Sequence, residues 1–333
     1  MSMVPPDITG AETAGAAVAL EGEAPPPGKK IEGRSPWRLA YERLRGDRAA
    51  KIAAGTILLI VILAIIAPVF AHITGHGPNQ QFIDIGENAS GGPVAPSGTF
   101  WFGTDSNARD LFVRVIYGAR ISLMVAGGST LLAIFFGVTF GMIAGYFGGW
   151  VDAVISRTMD VLLAFPLLLF AISLSVVITS NPTFLGFSGL TLQVGMLWII
   201  IGFFSWPYMG RIIRGQVLAL REREFVDAAR VLGAKPSRIL VKEILPNLVA
   251  PIVIYATLLI PTNILFEAAL SFLGVGIQEP TPSWGLMLNR AIDFYQSDPE
   301  FLLVPGIAIF LTVLAFNLLG DGLRDALDPK ASR

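Results

Sequence analysis

Six stretches of this chain are each apolar over close to the roughly 20 residues that a helix needs to cross bilayer hydrocarbon: Ala53 to Ala71, Ile121 to Tyr146, Val161 to Thr179, Leu190 to Tyr208, Leu248 to Gly276 and Phe301 to Leu319. Lipid offers no water to backbone N–H and C=O groups, so a spanning stretch of this length is held to the α-helix. The sequence therefore predicts an all-α membrane protein with six transmembrane helices. Composition agrees, with 53% hydrophobic and 15% charged residues and a mean hydropathy of +0.64.

Six spans put both termini on one side, and the distribution of cations says which. Eight Lys and Arg precede the first span, one lies between the second and third, eight between the fourth and fifth, and three follow the sixth. The opposite loops carry three, none and one. By the positive-inside rule both termini are expected to be cytoplasmic, in a multi-pass membrane protein.

Residues 1–35 are rich in Pro, Gly, Ala and Glu and read as a disordered cytosolic tail. Residues 36–51, containing WRLAYERLRGDR, read as an interfacial amphipathic segment ahead of a six-helix domain over 52–328. The net charge of −1 excludes a strongly basic nucleic-acid binder, and the absence of Cys removes disulfides and thiolate chemistry. His72 and His76 read as solvated residues beyond the first span, and no metal site is expected.

Gly137, Gly141, Gly145 and Gly149 recur at spacing four, clearing one helical stripe for close approach by a neighbour. Proline recurs within or beside the spans at Pro166, Pro207, Pro251, Pro261 and Pro305. An ionisable group inside a span is costly unless it meets a partner or water. Glu267 is the clear case, with Asn263 one turn earlier; the two either line an aqueous path near an outer gate or are hydrogen-bonded to a neighbouring helix.

The polar loop over 221–246 is the longest ordered element expected outside the membrane. A helix over Glu222 to Leu232 ends at Gly233, which accepts left-handed geometry, and Pro236 with Ser237 suits the first turn of a second helix. The elbow is expected to end at Leu245–Pro246. Ala228 and Ala229 allow a tight seat in a groove, with Glu222, Arg223, Glu224, Asp227 and Arg230 at its rim. From the residues alone this is either a docking element for a cytosolic partner or a solvated loop.

The loop resembles the shared motif of permease subunits of bacterial ABC importers: EAA, three residues, Gly, nine residues, then I-x-L-P. Here it stands as Asp227-Ala228-Ala229, Gly233 and Leu245-Pro246, with Asp for Glu and Glu243 where Ile is usual. FGTDSNARDLFVRVIYGARISL (102–123), YFGGWVDAVISRTMDVLLAFP (146–166) and EAALSFLGVGIQEPTPSWG (267–285) resemble further motifs of the peptide and nickel group, specifically its C-type permease. Ala108 stands for a Gly of that pattern and Val113 for a Ser. The likeness covers about residues 38–328.

The resemblance implies the type I ABC importer permease fold with cytosolic coupling helices, and not an enzyme but a transport subunit. It implies a B-type permease forming the other half of one path, two ATPase subunits and an extracytoplasmic substrate-binding protein. It also implies ATPase coupling by Glu224, Asp227, Ala228, Ala229, Gly233, Pro236, Leu245 and Pro246. Asn263 and Glu267 stand as candidates for the translocation path near an outer gate, with a structural role the alternative. Within the outer loop 72–120, Asp105, Arg109 and Asp110 either pair with one another or, with Trp284, dock the binding protein.

This chain is expected to bind no cofactor, with ATP and Mg²⁺ held on the ATPases. It has no GxxxxGK[ST], and its Gly28–Lys29 pair is followed by Lys30. Di- or oligopeptides are the expected substrates, with nickel as the alternative. A secondary transporter would show inverted repeats and several intramembrane charges. An intramembrane enzyme would show a catalytic cluster, and a plain membrane scaffold does not account for the elbow.

Overall fold

The computed structural model describes residues 36–179, 183–184 and 186–327. The tail expected over residues 1–35, with Gly28 and Lys29, lies outside them. Among the described residues five helices are long and apolar enough to cross a membrane, and counting one bent helix pair as a span makes six.

The chain opens with α1 (Pro36–Gly46) and α2 (Arg48–Ile65). Asp47 separates them by capping α2, its carboxylate accepting from the N–H groups of Ala49 and Ala50. The expected interfacial segment is thereby shortened, because residues 48–51 belong to the first spanning helix. That span is also broken at Ile66, after which α3 (Ala67–Thr74) starts with Pro68 in its first turn.

A polar hood follows, with α4 (Ile83–Gly86) as a single helical turn. The second span, α5 (Leu111–Phe147), is 37 residues long. The expected outer loop 72–120 therefore ends at Asp110, and residues 111–120 form one continuous helix with the span that follows. No helix-breaking residue separates the two, so nothing stops the helix at the membrane surface.

The third span differs most from expectation. A straight helix over Val161 to Thr179 is replaced by α6 (Gly149–Ala164) and α7 (Leu167–Thr179), bent by 79°. Phe165 is extended, as a residue before proline prefers, and Pro166 interrupts the ladder. A short hairpin, β1 (Thr183–Phe184) and β2 (Phe187–Ser188), leads to α8 (Gly189–Leu220), which carries Pro207 within it.

The elbow is α9 (Glu224–Val231) and α10 (Pro236–Arg238), followed by a π-helical turn over Ile239–Ile244 that runs directly into α11 (Leu245–Phe272). Pro246 does not close the elbow as expected. It brings no N–H to the helix, and the ladder just before it shifts register, Leu245 N–H donating to Leu240 O. Beyond α11 the chain re-enters through α12 (Trp284–Ala291) and a 3₁₀ turn (Ile292–Phe294), and returns as α13 (Pro299–Leu327).

The central seam joins α5 and α8. A Cβ on Gly137 would lie 2.6 Å from Met209 Cβ, one on Gly141 2.7 Å from Gly210 O, and one on Gly145 2.8 Å from Val217 Cβ. Partners advance together along both helices, so the two run parallel. The small residues bring the backbones together. Gly149 is not part of this stripe: it begins α6 at φ +54° with open space around it. α13 packs on α2 and α11. Arg43 Nη1 reaches Ala326 O at 3.4 Å, so both ends of the described chain lie at one end of the bundle, called the terminal end here.

Candidate functional site

At the terminal end the elbow is bolted to three helices from within. Val226, Ile239, Ile244 and Leu248 are buried with Ile213 and Val217 of α8, while Ala229 and Leu245 pack at the edge of the same cluster. Arg230 bonds Asp227 at 3.0 Å and lies over the Tyr146 ring at 5.6 Å, tying α9 to the end of α5. Arg221 Nη1 donates to Gly145 O at 3.1 Å. Gly233 is left-handed at φ +76°, and Ala234 N–H donates to Ala229 O at 3.0 Å, which closes the helix with the expected glycine stop. Pro236 opens the next helix.

The outward stripe of α9 is Glu224, Asp227, Ala228 and Val231, at helical spacing, and all four are exposed. Its tip is apolar and bare, with Val231 87% and Leu232 86% exposed. The inner face of the elbow is thus spent on the bundle, and a small residue flanked by carboxylates faces outward. Gly233 and Pro236 shape this element, and Leu245 and Pro246 lie where it joins α11.

Where α6 bends into α7, a cavity of about 520 Å³ opens between these helices, α8 and α11. Its wall includes Leu163, Phe165, Tyr208, Tyr255, Thr262 and Phe266. Asn263 and Glu267, expected to line a path, are not in that wall. Both are fully buried inside the bundle. Asn263 Nδ2 donates to Thr130 Oγ1 at 2.9 Å and its Oδ1 accepts from Ser205 at 3.1 Å. Glu267 Oε1 accepts from Ser271 at 2.8 Å. Asn263 thus bonds to α5 and α8, whereas Glu267 bonds to a hydroxyl one turn away on its own helix. Replacing Asn263 by leucine removes the acceptor of the buried Ser205 hydroxyl and the donor to Thr130, whose own bond to Ala126 O remains, and is expected to destabilise the protein by about 1–3 kcal/mol. A thermal transition in detergent unchanged from wild type would contradict this.

At the far end, the residues considered for docking are buried: Asp105 is 2%, Arg109 4%, Asp110 1% and Trp284 2% exposed. Asp105, Arg109 and Asp110 are each paired within the hood. Arg109 Nε bonds Asp105 at 2.7 Å, and its two terminal nitrogens reach both oxygens of Glu279 at 2.7 and 3.1 Å. Arg114 enters the same cluster, Nε lying 3.0 Å from Asp105 Oδ2. Asp110 caps α5 and meets His76 Nδ1 at 2.5 Å, so His76 is buried and paired, not solvated. Trp284 is a core residue whose indole N–H donates to Val115 O at 2.9 Å. Ala108 sits left-handed at φ +54°, which accounts for glycine in the related pattern. Among the described residues no group of three His, Asp or Glu side chains is arranged to hold a metal.

Burial pushes the Glu279 carboxyl up, but hydrogen bonding to Arg109 and the charges of Arg114, Arg109 and Arg290 outweigh it and hold it below the usual carboxylate value. A lowered carboxylate stabilises the fold fully above its unfolded pKa, about 4.3, and loses that contribution as pH falls towards the folded value. Thermal stability is therefore expected to fall more steeply below about pH 4.3 in wild type than in Glu279→Gln. Parallel pH profiles would contradict the assignment.

Sequence reasoning missed Arg114 and Glu279 in this cluster, and a second set of charges on the α6–α8 seam. There Arg214 grips Asp152 through both Nε and Nη2, the latter at 2.6 Å, and Arg211 Nη2 meets Asp160 at 2.5 Å. The sequence signal was a carboxylate on one polar face of a bent span and arginines at the end of the next.

Two family descriptions match the chain: binding-protein-dependent transport system inner membrane component, over residues 137–333, and N-terminal TM domain of oligopeptide transport permease C, over 35–90. The chain is 42% identical to a dipeptide transport system permease protein of Alkalihalophilus pseudofirmus, over 93% of this chain and 95% of that one. It is 41% identical to an oligopeptide transport system permease protein of Escherichia coli K12, over 90% of this chain and 93% of that one. It is also 41% identical to a glutathione transport system permease protein of Escherichia coli, over 89% of this chain and 91% of that one. With a spanning-helix bundle, an elbow at its terminal end and these matches, the chain belongs to the inner membrane components of binding-protein-dependent transport systems.

Proposed function

We propose that this chain is the C-type transmembrane subunit of an ATP-driven importer of di- or oligopeptides, with its terminal end in the cytosol. A B-type permease supplies the other half of the path, and an extracytoplasmic binding protein delivers substrate at the hood. Two ATPase subunits beneath hold ATP and Mg²⁺. The observation that carries the reading is the elbow. Its buried face is fixed to α5, α8 and α11, while its outer face, Glu224, Asp227, Ala228 and Val231, is exposed beside an apolar tip, with Asp227 held, among the described residues, only by the neighbouring Arg230 of the same helix. An ATPase groove gripping that face moves three spanning helices at once.

ATP binding favours one arrangement of the ATPases, and the elbow passes that difference in binding energy to the spans, which is how a ligand shifts a two-state equilibrium. The cavity at the α6–α7 bend is the part of this chain suited to line the path. Peptide substrates are supported by the names of the three relatives, all of which transport a peptide.

The test is ATPase activity of the complex reconstituted in lipid, with binding protein loaded with a dipeptide, an oligopeptide or Ni²⁺. Stimulation by a peptide-loaded form is expected. Stimulation by Ni²⁺ alone would reassign the substrate, and failure to recruit any ATPase would overturn the coupling role.

A further inference from the structure

Two ion pairs lie along the α6–α8 seam, and they differ in kind. Asp152–Arg214 is bidentate, with side chains 19% and 33% exposed, and it staples the helices. Asp160–Arg211 makes a single contact at 2.5 Å with side chains 51% and 52% exposed. An open pair of this kind contributes little to stability, so opening it costs the fold little. Charges at the margin of a bilayer are nevertheless expensive unless they face water or a partner.

The position of the open pair follows from helix periodicity. α6 runs away from the terminal end and α8 runs towards it. Asp160 is therefore one turn on the terminal side of Leu163, and Arg211 one turn on the terminal side of Tyr208; both Leu163 and Tyr208 line the cavity. The two charges thus sit together at the terminal mouth of a chamber whose wall, here, is aliphatic and aromatic side chains with the hydroxyls of Ser205, Tyr208, Tyr255 and Thr262. Such a chamber accommodates varied side chains but has nothing to hold charged termini. The pair at its mouth supplies both signs.

We propose that Asp160 and Arg211 form a subsite for zwitterionic peptides at the terminal, cytosolic mouth of the cavity, exchanging their mutual ion pair for the peptide's α-ammonium on Asp160 and its α-carboxylate on Arg211. This rests on the peptide-import reading above. Each pairing replaces one charge-assisted contact by another of the same type, so the exchange is nearly balanced and the peptide is released again as the pair re-forms. The subsite reads the two groups that free peptides share and ignores their side chains.

The experiment is equilibrium binding of dialanine, N-acetyl-dialanine and dialanine amide to the purified complex without binding protein or nucleotide, alongside ATPase stimulation of the wild-type complex by peptide-loaded binding protein. Wild type is expected to prefer dialanine over either blocked form by about tenfold, the worth of one charge-assisted contact. D160N is expected to lose the preference for a free amino terminus only, and R211Q the preference for a free carboxylate only. The exchanged variant D160R/R211D keeps an ion pair on the seam; it restores any purely structural defect while leaving the preference for free termini lost. Stimulated ATPase with no such preference in wild type, or with both preferences intact in the single variants, would overturn this inference alone. Absence of stimulation by any peptide-loaded binding protein would overturn the import reading, and this inference with it.

Discussion

Replacing Gly141 by leucine is expected to abolish stable folding of the bundle. The added Cβ would lie 2.7 Å from Gly210 O and 2.9 Å from Ile213 Cβ, and the first of these is backbone that cannot rotate away. Relief requires α5 and α8 to separate along their whole parallel seam, since Gly137 and Gly145 hold the turns on either side equally close. Overpacking in well-packed cores costs typically 1–3 kcal/mol and occasionally more, and a rigid seam should fall at or above about 3 kcal/mol. The control is Gly127→Leu on the same helix, where nothing lies within 4 Å of the new Cβ. Yield of monodisperse protein in detergent and its thermal transition should collapse for Gly141→Leu and hold for Gly127→Leu. Equal behaviour of the two would show that close backbone approach is not what joins these helices.

Gly233→Pro should leave the bundle inserted but disconnect it from its energy source. The residue sits at φ +76°, whereas proline is locked near −65°, and its N–H now donates to Arg230 O at 2.9 Å. Both the left-handed stop and one capping bond are lost, so α9 leaves the bundle at a different angle and its outward stripe is re-aimed. Asn enters left-handed geometry with little strain, so Gly233→Asn should be tolerated. Uptake by the proline variant is expected to fall by at least about tenfold, equivalent to about 1.4 kcal/mol of coupling, with ATP hydrolysis no longer answering to substrate. Charge reversal at Asp227, on the outward stripe and paired to Arg230, should act in the same direction. Normal uptake by both variants would remove the docking role from the elbow.

The parts of this structure legible in the sequence are those set by local chemistry. Apolar runs of membrane length locate the spans, Gly233 and Pro236 mark the elbow's corner, and glycines at spacing four mark a close seam, although Gly149 is the start of a helix and not a member of it. The bend at Phe165–Pro166 lay hidden because apolar character continues across it, so hydropathy sees one span where the backbone makes two helices. The π-helical turn before Pro246 was equally silent, since proline signals a fault in the ladder but not whether the helix stops or shifts register. Charged residues in a turn-rich outer loop read as surface. Only long-range pairing reveals that Asp105, Arg109 and Arg114 face inward, and no local pattern predicts a partner as distant as Glu279. Asn263 and Glu267 were ambiguous for the same reason, because their partners lie on α5 and α8 or a turn away on α11.

The hood's arginines also bear on how the protein is made. Arg109 and Glu279 are separated by 170 positions, and four spanning elements and the elbow lie between them in the chain. A ribosome therefore delivers Arg109 and Arg114 long before their carboxylate partner exists, and a nascent chain ending short of residue 279 has one acid, Asp105, for two guanidinium groups destined for burial. The hood cannot close until the fifth span has crossed and the loop beyond it has folded back. Its closure thus reports on topology: a chain that mis-threads a span between residues 109 and 279 leaves Asp105 alone to balance both cations.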